Sequence, residues 1–372
     1  MKVVHLIDRD DAVGGVQTYV AQLVPGLAAR GIESEVVVGA SIPGLLTDGP
    51  APPREALAAL DERIAELRPD CCYLHGPLNP GVALSLAAHA PTLGYAHDYA
   101  MVCPGNARFL VNSGSFCAEG PGLRCFRRAY TERSTNRRPD RVLRAYRRVR
   151  SWPDAWQALA RILVASPFVA GVLERDGAPR DRIRVVAYPI APAAPAEPER
   201  LADVLYVGRL VSSKGVGVLL RAAAEAGASV AVAGDGPDRP GLETLAAELG
   251  ADVRFLGWVT PERRASLLRG ARVFAMPSLW EEPFGIAGVE ALAAGVPVVA
   301  SEVGGIPSWL EDGRGGLLVP PDDVAALRDA LRRVLEEPGL AERLAVVGPG
   351  AAARFSLDAH LDLLVPELEA VA

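Results

Sequence analysis

Short apolar runs recur along the chain, and most are followed by stretches whose apolar residues fall three or four apart. Residues 3–7 form the first run. After the loop 8–15, Val16, Tyr19, Val20, Leu23 and Leu27 mark one face of a helix that ends at Gly31. Further runs at 36–38, 71–74, 92–95, 162–165 and 183–186 predict strands, with helices over 56–67 and 81–89. Continuous apolar runs, rather than alternating ones, indicate strands buried on both faces. The βαβ order then gives a parallel sheet covered by helices.

The pattern breaks over residues 188–200, where four prolines stand among small residues; this is a stiff linker and the clearest boundary in the chain. A second series of strands begins at 204–207 and continues at 230–233, 253–256, 273–276, 296–299 and 316–319. The expected architecture is α/β, with two facing, doubly wound, Rossmann-like domains and a binding cleft between them. Domain one covers 1–188 and domain two 189–356. A final helix within 357–372, capped by Ser356, is long enough to cross back to the first domain.

A chain of 372 residues suits two such domains. Half of it is hydrophobic but only 6% is aromatic, so the core must be built mainly from Ala, Val and Leu. Net charge −6 and a pI of 5.6 argue against general nucleic-acid binding. The N-terminal apolar run is too short for a signal peptide, and no run reaches the length of a membrane span. A cytoplasmic location is therefore expected, with the five cysteines as thiols.

The stretch 277–290 is where chemistry is expected. It joins a buried strand to a helix that stops at Gly295, with Glu282 on the turn and Glu290 inside the helix. Unpaired N–H groups and the positive end of the helix dipole suit a phosphate there. Glu282 can accept from sugar hydroxyls and Glu290 from a ribose, although a solvated glutamate pair beside a tight turn would show the same residues. Gly208-Arg209-Leu210, with Lys214-Gly215 soon after, puts two cations at a strand end and a helix start, as a diphosphate requires. Gly234-Asp235-Gly236-Pro237 leaves room for a ligand after another strand. The backbone through Trp258-Val259 can read a base after a third.

Taken together, Gly14-Gly15-Val16, these three motifs, Phe255-Leu256-Gly257, the Glu282–Glu290 pair with Pro283-Phe284-Gly285, and residues 295–300 resemble the retaining glycosyltransferases of family 4, which have the GT-B fold. The resemblance covers nearly the whole chain. It implies transfer of a hexosyl-type sugar from a UDP- or GDP-sugar to an acceptor hydroxyl, with retention and with no divalent metal or other cofactor. Glycan, glycolipid or glycosylated-metabolite biosynthesis is the implied setting. By the same resemblance Arg209 and Lys214 hold the diphosphate, Glu282 binds the donor sugar and Glu290 its ribose, while N–H groups near Phe284, Gly285 and Ile286 meet phosphate. Gly14 and Gly15 let the first loop approach the donor phosphates. His97 matches a histidine that family members place near the reacting carbon. His75 is a weaker candidate, and His5, His89 and His360 read as structural. Asp8-Arg9-Asp10 is taken as a solvated loop rather than a metal-binding triplet. A GT-B epimerase and a non-catalytic nucleotide-sugar-binding partner are the alternatives.

Residues 98–152 depart from a minimal family member and show little periodicity. Cys103, Cys117 and Cys125 have ligand-like spacing but no fourth cysteine follows, so packed thiols are preferred to a zinc site. The segment Arg124 to Arg150 is rich in arginine within an acidic chain. It is either a solvated face or a contact for an anionic acceptor or an anionic membrane surface, the latter making the protein peripheral at the inner face. Pro139 suits the first turn of a helix there, with Arg141, Arg144 and Arg148 along one exposed face.

Overall fold

A computed structural model of the chain describes residues 1–10, 15–76, 79–191 and 196–372. These fall into two compact units. The first comprises Met1–Ser113, Cys117–Pro189 and Leu357–Ala372; the second comprises Gly114–Phe116 and Ile190–Ser356. Gly14 and part of the proline-rich linker, 192–195, lie outside the described residues.

The first unit opens with β1 (Lys2–Ile7), α1 (Gly15–Ala29), β2 (Glu33–Val38), α2 (Arg54–Leu67), β3 (Cys71–Leu74), α3 (Pro80–His89) and β4 (Thr92–Ala96). Short strands β5 (Phe109–Leu110) and β6 (Ser115–Phe116) lead to α4 (Arg124–Thr131), α5 (Pro139–Arg150) and α6 (Trp152–Ala158). Then come β7 (Arg161–Val164), α7 (Pro167–Arg175) and β8 (Ile183–Val185). The sheet runs β2-β1-β3-β4-β7-β8, every pairing parallel. β3 and β4 are buried along their whole length, as their continuous apolar runs require.

The second unit runs β9 (Val204–Val207), α8 (Val216–Ala226), β10 (Val230–Ala233), α9 (Arg239–Leu249), β11 (Val253–Gly257), α10 (Pro261–Gly270) and β12 (Val273–Met276). It continues through α11 (Ile286–Ala293), β13 (Val298–Ser301), β14 (Glu311–Asp312), β15 (Gly315–Val319), α12 (Val324–Glu336) and α13 (Leu340–Ala352). Its sheet is ordered β11-β10-β9-β12-β13-β15-β14. The core is aliphatic as the composition requires, with Val204, Val230, Val273 and Val299 beneath Leu219, Leu220 and Leu331.

The last helix, α14 (Leu357–Glu369), belongs to the first unit, where Arg30 pairs with Asp362 at 2.6 Å. Its buried Leu361 reaches α1 so closely that a Cβ on Gly26 would stand 2.9 Å from Leu361 Cδ1.

One expectation is corrected here. The segment 98–152, read as nearly aperiodic, contains α4 and α5. Helix α5 begins at Pro139 as its sequence predicts, yet Arg148 is buried with Val142, Ala145 and Val149 instead of lying along the exposed face with Arg141 and Arg144. Residue 148 borders the apolar arc of the helix, and its long side chain is drawn inward by hydrogen bonds to Asn106 Oδ1 at 2.6 Å and Cys103 O at 3.4 Å.

Candidate active site

In the second unit β9 starts the sheet, β10 and β11 add on one side, and β12 returns to the other side of β9. The loops leaving the carboxyl ends of β9 and β12 therefore flank the point where strand order reverses, which is where open α/β sheets bind ligands. These two loops carry Arg209, Lys214, Ser278, Glu282 and Gly285.

Lys214 Nζ donates to Glu282 Oε1 at 2.6 Å, and the Ser278 hydroxyl donates to the same oxygen at 2.6 Å. The Lys214 and Glu282 side chains are only 18% and 5% exposed, and the ammonium also lies 4.9 Å from the centroid of the Trp280 ring. The two loops are joined by backbone as well. Leu279 N–H donates to Ser213 O at 2.8 Å, and a Cβ on Gly215, whose φ is +67°, would stand 1.9 Å from Pro277 O. Only glycine permits that approach. On the other side, Gly305 N–H donates to Glu282 O at 2.7 Å, and Gly304 N–H donates to the Glu281 carboxylate. Glu282 is thus fixed through its backbone and its side chain.

Helix α11 begins just beyond. Gly285, in the left-handed region, is its N-cap, and no side chain caps it. The preceding Phe284 is buried against Phe355, and Trp309 Nε1 donates to Phe284 O. The helix end is therefore anchored from behind; Gly288 N–H donates to Gly285 O at 3.0 Å, while the N–H groups of Ile286 and Ala287 have no intrahelical acceptor. Glu290 lies farther along the same helix, where Arg264 donates to it at 2.9 Å. Burial pushes its carboxyl above the usual range, and the Arg264 guanidinium opposes that shift.

Around this cluster, exposed Arg209 makes no ion pair among the described residues, and its carbonyl accepts from Tyr206 OH at 3.0 Å. Gly234 N–H donates to Gly257 O at 2.8 Å, and a Cβ there would stand 1.9 Å from Gly208 O, so three strand ends converge as backbone. Beyond β11 come exposed Trp258 and half-buried Val259.

In the first unit the parallel register places His5, Tyr73, His75, Tyr95 and His97 on one face of β1, β3 and β4 or just beyond them. Tyr19 from α1, Tyr188 and His360 from α14 complete a buried network. His5 Nδ1 and His75 Nε2 are 3.1 Å apart, Tyr19 OH lies 2.9 Å from Tyr73 OH, and it also lies 3.0 Å from His360 Nε2. His97 Nδ1 is 2.6 Å from Tyr188 OH, and its ring stacks on Tyr95 with centroids 4.4 Å apart. Its other nitrogen, Nε2, is enclosed and has no hydrogen-bond partner among the described residues. Burial depresses the pKa of His5 and His97 to about 3 and that of His360 to about 4, and pushes His75 well below its usual value. All four rings are neutral at physiological pH.

The remaining candidates fall elsewhere. Gly15 opens α1, with no atom of the described residues within 4 Å of a Cβ built on it. Asp8, Arg9 and Asp10 are exposed, and His89 is 3.0 Å from Asp61. Arg128 takes up part of the cysteine segment: its Nη1 lies 3.0 Å from Cys117 Sγ and 3.2 Å from the Glu119 carboxylate. Among the described residues no three His, Cys, Asp or Glu side chains group to hold a metal ion. No helix among them is long and apolar enough to cross a membrane.

The family model for group 1 glycosyl transferases matches residues 189–348, and the model for Glycosyltransferase Family 4 matches residues 13–193. Over 379 residues the chain is 30% identical to the phosphatidyl-myo-inositol mannosyltransferase of Mycobacterium leprae (strain TN), covering 97% of this chain and 94% of that one. The chain belongs to glycosyltransferase family 4. A shorter match, 38% identical, links it to the alpha-D-kanosaminyltransferase of Streptomyces kanamyceticus; it spans 43% of this chain and under half, 44%, of that relative. Anabaena Alr3699/HepE, solved in complex with UDP and glucose, is 18% identical with a TM-score of 0.68, each chain covered completely. The fold of this family 4 chain is GT-B, built from two Rossmann-like parallel-sheet units. Relatives named as transferases lend no support to the epimerase alternative.

Ser278, Arg264, Tyr188 and the shared network of His5 and His360 were not singled out from sequence. One signal was available for the network: Tyr-x-His occurs at 73–75 and again at 95–97, each at the end of a strand.

Proposed function

We propose that this chain transfers a hexosyl-type sugar from a nucleoside diphosphate sugar to an acceptor hydroxyl, with retention at the anomeric carbon and without a divalent metal. The observation that carries this reading is the Lys214–Glu282–Ser278 cluster beside the uncapped start of α11. In this reading Lys214, Arg209 and the first-turn N–H groups of α11 meet the diphosphate, whose developing charge is the main electrostatic demand of the reaction. Glu282 holds hydroxyls of the sugar and Glu290 the ribose, while the backbone through Val259 meets the base. The complex of Alr3699/HepE with UDP supports a uridine donor. The first unit accommodates the acceptor. Its catalytic candidate is neutral His97, whose ring Tyr188 fixes through Nδ1. The bond from the anomeric carbon to the leaving phosphate oxygen breaks as the acceptor oxygen bonds on the same face, and the acceptor's proton passes to the departing phosphate.

The test is calorimetry with UDP and GDP, followed by NMR of the product's anomeric configuration with and without EDTA. Binding of one nucleotide, an unchanged anomeric configuration and full turnover in EDTA are expected. Failure to bind any nucleoside diphosphate would overturn the donor assignment, and an inverted product would overturn retention.

A further inference from the structure

The first unit also contains a basic recess that the donor chemistry does not use. It has two adjoining parts that share Thr135 and Asn136. One, of about 210 Å³, is bordered by Asn106, Arg141 and Arg148; the other, of about 650 Å³, is bordered by Arg133, Arg137 and Arg138. Arg138 and Arg144 are both offset by Asp140. Arg133, Arg137 and Arg141 are exposed and make no ion pair among the described residues. Arg148 is 8% exposed, and its Nε has no hydrogen-bond partner among the described residues, although Asn106 holds its Nη2 and the Asp98 and Asp48 carboxylates act on its charge. A buried, unpartnered guanidinium N–H bordering a cavity calls for an acceptor atom inside it.

We propose that this recess binds a phosphate group carried by the acceptor substrate, an inference that rests on reading the first unit as the acceptor half. The chemistry selects phosphate. Guanidinium groups reach the recess from the turn at 133–138 and from successive turns of α5. A tetrahedral group with three free oxygens can take charge-assisted hydrogen bonds from several directions at once. Asp48, also on the rim, supplies an acceptor for a hydroxyl beside the phosphate. The loop that follows His97 leads straight to this place: Tyr99 N–H donates to Asn106 O at 3.1 Å, and Asn106 holds Arg148. The phosphate belongs either to a soluble phosphomonoester or to a phospholipid headgroup.

The experiment is calorimetry of the full chain with glycerol 3-phosphate at low salt, with glycerol as the uncharged control. Wild type binds the phosphate saturably and ignores glycerol. Arg137→Ala with Arg141→Ala, two exposed positions, weakens the phosphate by about tenfold or more and leaves UDP or GDP binding unchanged. Arg148→Lys, which keeps the charge but removes Nε, also weakens it. Sedimentation with phosphatidylcholine vesicles, with and without phosphatidylinositol, identifies the source: pelleting that requires Arg137 and Arg141 assigns a headgroup, and no pelleting assigns a soluble phosphate. Equal binding by wild type and the double variant, no saturable binding to either probe, or binding that disappears in Lys214→Ala instead would overturn the proposal. Loss of nucleotide binding, by contrast, would count against the donor assignment alone.

Discussion

Removing the Lys214 ammonium tests how the second unit holds charge in a nearly closed site. Lys214→Ala leaves Glu282, 5% exposed, with the Ser278 hydroxyl but no cation. Breaking a buried pair from one side costs about 3–5 kcal/mol, because the remaining charge is uncompensated. Lys214 retains 18% exposure, so the lower end, about 3 kcal/mol, is expected. For a unit of this size that lowers Tm by roughly 6–12 °C. Glu282→Gln in the same chain removes the stranded charge and restores most of the loss, whereas Glu282→Gln alone leaves Lys214 free to swing toward solvent and costs less. Turnover behaves differently: both the single and the double variant lose about 10²–10³-fold, the scale of one donor removed from a developing oxyanion. Urea unfolding of the four proteins, paired with nucleotide-release assays, separates the two effects. If Lys214→Ala is as stable as wild type, or if Glu282→Gln fails to rescue it, the pair is not holding buried charge as argued here.

Other predictions follow from neighbouring groups. Glu290→Ala weakens the free nucleoside diphosphate and its sugar equally, while Glu282→Ala weakens the sugar-bearing ligand more; calorimetry with both ligands checks this, and equal losses in both variants would undo the division of roles. Tyr188→Phe releases Nδ1 of His97 and lowers turnover by about tenfold with donor affinity unchanged, measured as kcat against KM. His5 and His97 at about 3 and His360 at about 4 keep neutral rings, so their NMR ring signals stay flat as pH falls through 6.5 toward about 5, with His360 the first to move below that; a titration near 6.5 would refute the burial account. Because these folded-state values lie below those of the unfolded chain, each ring's contribution is complete above pH 6.5 and declines below it by about 1.4 kcal/mol per pH unit. Asp98, raised to about 6 by burial, works the other way: its contribution is complete at low pH and is lost as pH rises through 6.

The strands and the switch-point loops were legible because buried parallel strands must be continuously apolar, and because glycine is needed where backbones meet within van der Waals distance. Gly215 against Pro277 and Gly234 against Gly208 are such places. Partners of the charged residues were not legible. Nothing in the spacing says that Lys214 spans 68 positions to Glu282, or that Arg264 on α10 meets Glu290 on α11. Arg148 misled for a related reason. The i, i+3, i+7 arrangement of arginines resembles a solvated stripe, but Val142, Ala145 and Val149 already define an inner arc. A long side chain at its border turns inward when a carbonyl and an amide are there to receive it.

The first unit also keeps a buried ion pair, Arg108 with Asp176, but the polar groups around the two candidate sites are handled in opposite ways, and the difference fits the proposed chemistry. Around the donor loops of the second unit charges are kept and paired: Lys214 with Glu282 in a nearly closed setting, and Arg264, 37% exposed, with Glu290. A diphosphate arriving there finds cations whose partners are carboxylates that sugar hydroxyls can take over, so binding exchanges one set of charged contacts for another with little net desolvation. In the first unit four of the chain's five histidines meet four of its eight tyrosines, and burial keeps every one of these histidines neutral. In the proposed reaction positive charge develops at the anomeric carbon as the leaving group departs, and a protonated imidazole taking part in it would oppose that charge. A neutral ring held by Tyr188 can donate or accept a hydrogen bond without that penalty. The rest of the network lies behind His97, packing Tyr95 on its face and His75 at 5.7 Å, so its low pKa arises from the architecture of the sheet face as well as from His97 itself. By this argument, opening the network from behind, as Tyr95→Ala would, admits water to the ring and restores its ability to charge, moving His97 away from the neutral state that the proposed reaction favours.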